Sequence, residues 1–135
     1  MRIFSGVALA IALASASQAN AAEFKISFDW KGLALCFTGS PNLVDNPEFA
    51  VSGLPAGTQF VQFKMTDKNV PNFDHGGGVV AMTANGKVPK GAFKYLSPCP
   101  PGSKHKYEWT ATAKDKKGWG AKTLGVAKAS RMYPE

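Results

Sequence analysis

HKYEWTATA, residues 105–113, alternates without a break. Tyr107, Trp109, Ala111 and Ala113 fall on one side, while Lys106, Glu108, Thr110 and Thr112 fall on the other. Side chains of an extended chain point alternately to opposite faces. The pattern therefore predicts a strand with one face in a core and one in water. EFKISFDW, residues 23–30, repeats it with Phe24, Ile26, Phe28 and Trp30 on one face. In TQFVQFKMT, residues 58–66, Val61, Phe63 and Met65 oppose Gln62 and Lys64. FAVS (49–52), VVAMTA (79–84) and AFKYL (92–96) read as shorter extended pieces. FAVS and TQFVQFKMT, separated by GLPAG, are expected to pair as a hairpin. GSPNLVDNPEF (39–49) reads as a loop, and NGK (85–87) and KDKKG (114–118) as turns, the latter a solvated hairpin tip. The tail TLGVAKASRMYP (123–134) fits a last strand or a short helix equally well. Many short strands joined by Gly/Pro turns predict a mainly β chain, a single-domain sandwich with little helix. The strand-face Trp and Phe residues are expected to fill its core.

The chain of 135 residues suits one domain after a leader. Arg2, an apolar run from Phe4 to Ala14 and the small residues Ala19-Asn20-Ala21 have the layout of a secretory signal peptide. The apolar run is shorter than the roughly 20 residues a membrane helix needs. Residues 1–21 are read as the signal peptide, with cleavage after Ala21 or Ala22, and 22–135 as the working domain. The product is expected to be exported, periplasmic or secreted. In such a compartment Cys36 and Cys99, the only two cysteines, are expected to form a disulfide, two neighbouring buried thiols being the alternative. Cys99 lies between two prolines with no activating pattern beside it, so a catalytic thiol is not expected.

Two polar loops remain between the strands, at Asp67–Gly78 and Tyr95–His105. They hold both histidines of the chain, His75 and His105, together with Asp67, Asp74 and Cys99. A sandwich can bring such loops together at one end, where two imidazoles and free backbone amides could hold an anion such as phosphate. Gly76, Gly77 and Gly78 would let the backbone approach a ligand closely. The alternative is two corner loops whose histidines are satisfied locally, and the residues alone leave both readings open. A metal-dependent or acid/base hydrolase on His75, His105, Asp67 and Asp74 has no H-E-x-x-H or paired C-x-x-C spacing behind it. A structural or interaction protein without a ligand is the third possibility. The net charge of +7 favours anionic partners. The lysines are scattered and accompany no nucleic-acid motif, so no nucleic-acid partner is expected. Without a basic amphipathic helix, contact with an anionic membrane surface should be peripheral at most.

MTDKNVPNFDHGGG (65–78) followed by YLSPCPPGSKHKYEW (95–109) resembles the phosphatidylethanolamine-binding protein family, in particular its small bacterial, Raf kinase inhibitor-like members. The family pattern runs D-P-D-x-P, a histidine, G-P-C-P-P and H-R-Y. Asp67 and Pro71 stand in the first motif, His75 at the histidine, Pro98-Cys99-Pro100-Pro101 in the third, and His105-Lys106-Tyr107 in the last. SPNLVDNPEF resembles a further family stretch upstream. The resemblance implies a β-sandwich with an anion-binding pocket at one end and no enzymatic activity or cofactor. The expected ligand is a phosphate-like or phosphoethanolamine-like anion, and regulation or inhibition of a protein target is a further expectation. By carry-over, Asp67, His75, His105 and Tyr107 line the pocket, with Tyr95 a further candidate. Ser97, Pro98 and Pro100 belong to its stiff wall. The chain departs from the pattern at Lys68, Asn69, Gly76, Ser97 and Lys106. These changes make the expected site more positive and more open, which favours simple anion binding over selection of an ethanolamine head.

Overall fold

The structure is a computed structural model, and it describes residues 10–13 and 22–135. The signal-peptide reading falls on residues 1–21, which lie largely outside the described residues. Among the described residues no helix is long and apolar enough to cross a membrane.

Nine strands form: β1 (Lys25–Ser27), β2 (Leu43–Asp45), β3 (Phe49–Ser52), β4 (Phe60–Asp67), β5 (Gly77–Ala81), β6 (Gly86–Val88), β7 (Lys94–Leu96), β8 (His105–Lys114) and β9 (Thr123–Tyr133). They build an antiparallel four-stranded sheet in the order β5-β4-β8-β9, a three-stranded sheet β1-β3-β6 and a two-stranded piece β2-β7. The alternation read in residues 105–113 is the burial pattern of β8, where Tyr107, Trp109, Ala111 and Ala113 are all buried. Paired with it, β4 buries Val61, Phe63, Met65 and Asp67.

Sizes complement one another across this pairing. Phe63 lies opposite Ala111, and Val61 opposite Ala113. The small residues leave room for rings from the facing layer. Phe49 of β3 stacks on Phe63 with centroids 4.4 Å apart and meets Trp109 edge-on at 5.1 Å. Tyr95 of β7 meets Trp109 at 4.9 Å. The β1-β3-β6 and β2-β7 pieces thus cover one face of the large sheet, and an aromatic core fills the gap. Trp109 is fully buried, yet its Nε1 has no hydrogen-bond partner, so the ring is held by packing alone.

The β-sandwich expectation stands, and three local readings change. FAVS and TQFVQFKMT do not form a hairpin, because β3 pairs with β1 and β6 while β4 pairs with β5 and β8. The GLPAG segment crosses from one layer to the other. The Phe49–Phe63 contact is therefore a face-to-face core contact. The tail is a strand of 11 residues along β8, not a helix. The stretch read as a loop before Phe49 contains β2, and Gly86-Lys87 of the predicted turn begins β6.

Cys36 and Cys99 form the disulfide, with Cα atoms 4.6 Å apart. It ties the segment before β2 to the proline-rich stretch before β8.

Candidate functional site

The last residue of β4 and the first residues of β8 meet at one end of the large sheet, with Asp67 opposite Tyr107 in register. Beside them the loop after β4 brings His75, and the Cys99–Pro101 stretch closes the other side. The result is a cleft of about 100 Å³ lined by Asp67, His75, Tyr107, His105, Phe73 and Pro100, among others. Two larger depressions, of about 340 and 480 Å³, lie along Asp29–Lys31 and Lys90, away from both histidines.

Each imidazole is held by its Nδ1. His105 Nδ1 bonds Asp67 Oδ2 at 2.7 Å, and His75 Nδ1 donates to the Leu96 carbonyl at 2.7 Å. His75 is also clamped through its backbone, because the Leu96 amide donates to the His75 carbonyl at 2.8 Å. Its ring packs edge-on against Phe73 at 4.6 Å and Tyr107 at 5.6 Å. With both Nδ1 atoms engaged, Nε2 is the nitrogen each ring has for a ligand.

Asp67 is the organiser. Its Oδ1 accepts the amides of Asn69 at 2.9 Å and Val70 at 3.2 Å, which turns the chain out of β4. Asn69 Oδ1 in turn accepts the Lys106 amide at 2.9 Å, fastening that turn to β8. Burial pushes the Asp67 carboxyl up. The hydrogen bond from His105, the two backbone amides and the His105 charge outweigh that and hold it below its ordinary 3.8. For Tyr107, burial, then the Asp67 charge and the hydrogen bond to that carboxylate raise the phenol, so it stays protonated at neutral pH.

A pH dependence follows. The native state takes up a proton at Asp67 less readily than the unfolded chain does. The stability contributed by Asp67 is fully present above the unfolded value of 3.8 and is lost as pH falls through the lower folded value. Urea unfolding between pH 5 and pH 2 should show this loss, and Asp67→Asn should flatten it. The variant should also lose about 1–3 kcal/mol at pH 7, because His105 Nδ1 then faces an amide instead of a carboxylate. An unchanged acid limb in Asp67→Asn would remove Asp67 from this role.

Of the residues singled out in the sequence, the structure brings Asp67, His75, His105, Tyr107 and Pro100 together around the cleft. Tyr95, Ser97 and Pro98 are buried behind it. Tyr95 packs on Trp109, and burial followed by Tyr133 raises its phenol. Ser97 Oγ accepts the Asn42 amide at 3.0 Å and so fixes the upstream segment. Asp74 of the hydrolase alternative does not line the cleft, since its Oδ1 caps the Gly76 amide at 2.8 Å. Gly76–Gly78 do not line the cleft either: the close contacts of Gly77 and Gly78 are with the protein's own β4 and Phe93, and the space at Gly76 is open. Val70 and Phe73, both partly exposed at its rim, and Gly39 and Pro41 were not recognised as lining residues. An apolar residue inside a polar loop is the one signal that could have marked Val70 and Phe73.

No family model and no curated protein matches the sequence. Solved structures do match the fold. A phosphatidylethanolamine-binding protein homologue from Chlamydia trachomatis, CT736, superposes with a TM-score of 0.60 at 15% identity, over 84% of this chain and 98% of its own. YbcL of E. coli, described as a member of the mammalian phosphatidylethanolamine-binding protein family, gives 0.59 at 16% identity, over 83% and 98%. With the paired sheets, the disulfide-braced proline segment and the cleft at the β4–β8 end, the chain has the fold of the phosphatidylethanolamine-binding protein family.

Proposed function

We propose that this is an exported, non-enzymatic binding protein that takes a phosphoryl or other small anionic group in the Asp67–His75–His105 cleft and thereby regulates a partner protein. The observation that carries the reading is the pair of clamped imidazoles. Both Nδ1 atoms are used internally, at 2.7 Å each, which aligns the rings and commits Nε2 to a ligand. A protonated Nε2–H is a donor suited to phosphoryl oxygens. The proline wall costs little entropy to order, so a small ligand can be held with few contacts. The Asp67–His105 pair also has the form of the orienting half of a catalytic triad. The cleft lining contains no serine or threonine, and Cys99 is in the disulfide, which favours binding over covalent hydrolysis.

The test is an NMR titration with phosphate and with O-phosphoethanolamine, following the His75 and His105 ring signals. Both should shift together and saturate. His105→Gln should weaken binding at least tenfold, on the order of one charge-assisted hydrogen bond. Histidine signals that stay still at millimolar ligand would overturn the proposal.

A further inference from the structure

The turn between β8 and β9 lies at the other end of the large sheet from the cleft. His105 begins β8 and Lys114 ends it, a ten-residue strand that spans roughly 30 Å. The turn itself is KDKKGWGAK, residues 114–122. Its base is fixed by backbone bonds: the Asp115 amide to the Lys122 carbonyl at 3.2 Å and the Ala121 amide to the Gly118 carbonyl at 3.2 Å. Asp115 Oδ1 accepts the Lys122 amide at 2.7 Å, so the one carboxylate of the turn is bound to its own backbone.

At the apex stands Trp119, 98% exposed. Gly118 and Gly120 flank it with φ of 83° and 77°, a backbone that pushes the indole outward. The other two tryptophans behave differently, since Trp109 is fully buried and Trp30 packs against Phe28, Tyr107 and Tyr133. The same turn carries Lys116, Lys117 and Lys122, none of which forms an ion pair among the described residues, and Lys114 at its base, whose Nζ donates to Thr123 Oγ1 at 2.8 Å. A large amphipathic ring at the tip of a turn that also carries three lysines without an ion pair has a definite chemical complement. It matches a surface that is apolar a few ångströms down and anionic on top.

We propose that this turn docks the protein on an anionic phospholipid bilayer. The Trp119 indole enters the headgroup–acyl boundary, where tryptophan is favoured, and Lys116, Lys117 and Lys122 meet lipid phosphates. The lysines are confined to one hairpin tip, and none of the clefts described above is lined by residues 114–122. That argues for a fluid surface over a nucleic-acid strand or a shaped protein pocket. Because the turn and the cleft sit at opposite ends of β8, a docked molecule holds its cleft away from the bilayer. The cleft then samples soluble ligands and not the headgroups underneath.

Residues 22–135, which carry every strand and the disulfide, provide the test without the apolar leader. They should co-sediment with equimolar phosphatidylglycerol–phosphatidylcholine vesicles, with tryptophan emission moving to shorter wavelength, and should leave pure phosphatidylcholine vesicles unbound. Trp119→Ala should keep the melting temperature, since the ring touches nothing, while lowering partitioning about tenfold and abolishing the emission shift. Lys116→Gln and Lys117→Gln should each lower it on the order of fivefold, an effect that added salt mimics. Three results would overturn the proposal: no sedimentation with the anionic vesicles, partitioning by Trp119→Ala equal to the parent, or an emission shift produced by single-stranded DNA and not by vesicles.

Discussion

Replacing Cys36 and Cys99 together by alanine should lower the free energy of unfolding by about 4 kcal/mol. The bridge closes a loop of 63 residues, and in the chain-entropy account that figure follows from the freedom regained by the unfolded chain. Against a typical total of about 5–15 kcal/mol, the variant would sit close to the limit of folding. The effect should not stop at stability. Cys99 lines the cleft next to Pro100, and the same bridge holds the Gly39–Pro41 rim, which shares the lining. The Thr38 amide and hydroxyl both contact Cys99 Sγ at 3.3 Å, so the rim and wall are one unit. Any variant that still folds should therefore bind anion more weakly than the parent. Urea denaturation with and without reductant measures the first part. A difference below about 1 kcal/mol would mean that the loop is already constrained in the unfolded ensemble.

Gly77→Ala should be comparably damaging, at about 3 kcal/mol or more, through space and not through conformation. A Cβ at Gly77 would stand 1.8 Å from the Phe63 carbonyl oxygen and 3.0 Å from the Lys64 Cα, both backbone atoms of the neighbouring strand. Neither can move without breaking the β4–β5 ladder, where Gly77 pairs with Lys64 and Gly78 with Phe63. The two neighbouring glycines separate the causes. At Gly78 the added atom meets Phe93 Cγ at 2.4 Å and Cβ at 2.5 Å, so Gly78→Ala clashes with a core side chain and not with the backbone of the neighbouring strand. At Gly76 the space is open and only the φ of +76° resists, so Gly76→Ala should lose about 1–2 kcal/mol. Because His75 immediately precedes this run, its ring signals in the titration should broaden in Gly77→Ala before those of His105 do. Thermal melts of the three variants give the ranking, and equal losses at Gly76 and Gly77 would refute the steric account.

These glycines also show where sequence reading stopped. Three in a row suggested an approach to a ligand, and the approach is real, but it is to Phe63 and Phe93 of the same chain. Local sequence reveals that a backbone must come close to something, not to what. The same boundary explains the misplaced hairpin. FAVS and the strand after GLPAG alternate equally well whether they hydrogen-bond side by side or face each other across a core, and only the pairing of β3 with β1 and β6 decides. β8 was legible because its alternation is long and built from large residues. β9 was not, because Gly125, Ala127, Ala129 and Ser130 blur its periodicity, and its partner β8 imposes the extended form. β2 and β6, at three residues each, carry too little pattern to register. Within the candidate site, the polar groups announced themselves: both histidines and Asp67 were readable by type and position. The apolar rim at Val70 and Phe73, and the burial of Tyr95 and Ser97 behind the wall, depend on which way each side chain turns, and that is settled only by the completed sandwich.

β9 makes contacts that join the two ends of the chain. Trp30 Nε1 donates to the Met132 carbonyl, Arg131 to the Phe28 carbonyl, and the Cys36 amide to the Tyr133 hydroxyl, over separations of 102, 103 and 97 residues. The opening strand therefore has no finished binding surface until residue 133 has been made. Contacts so distant in sequence close slowly. Until β9 has been made, the growing polypeptide lacks the strand that seals its core, so a long interval of synthesis passes without a stable fold.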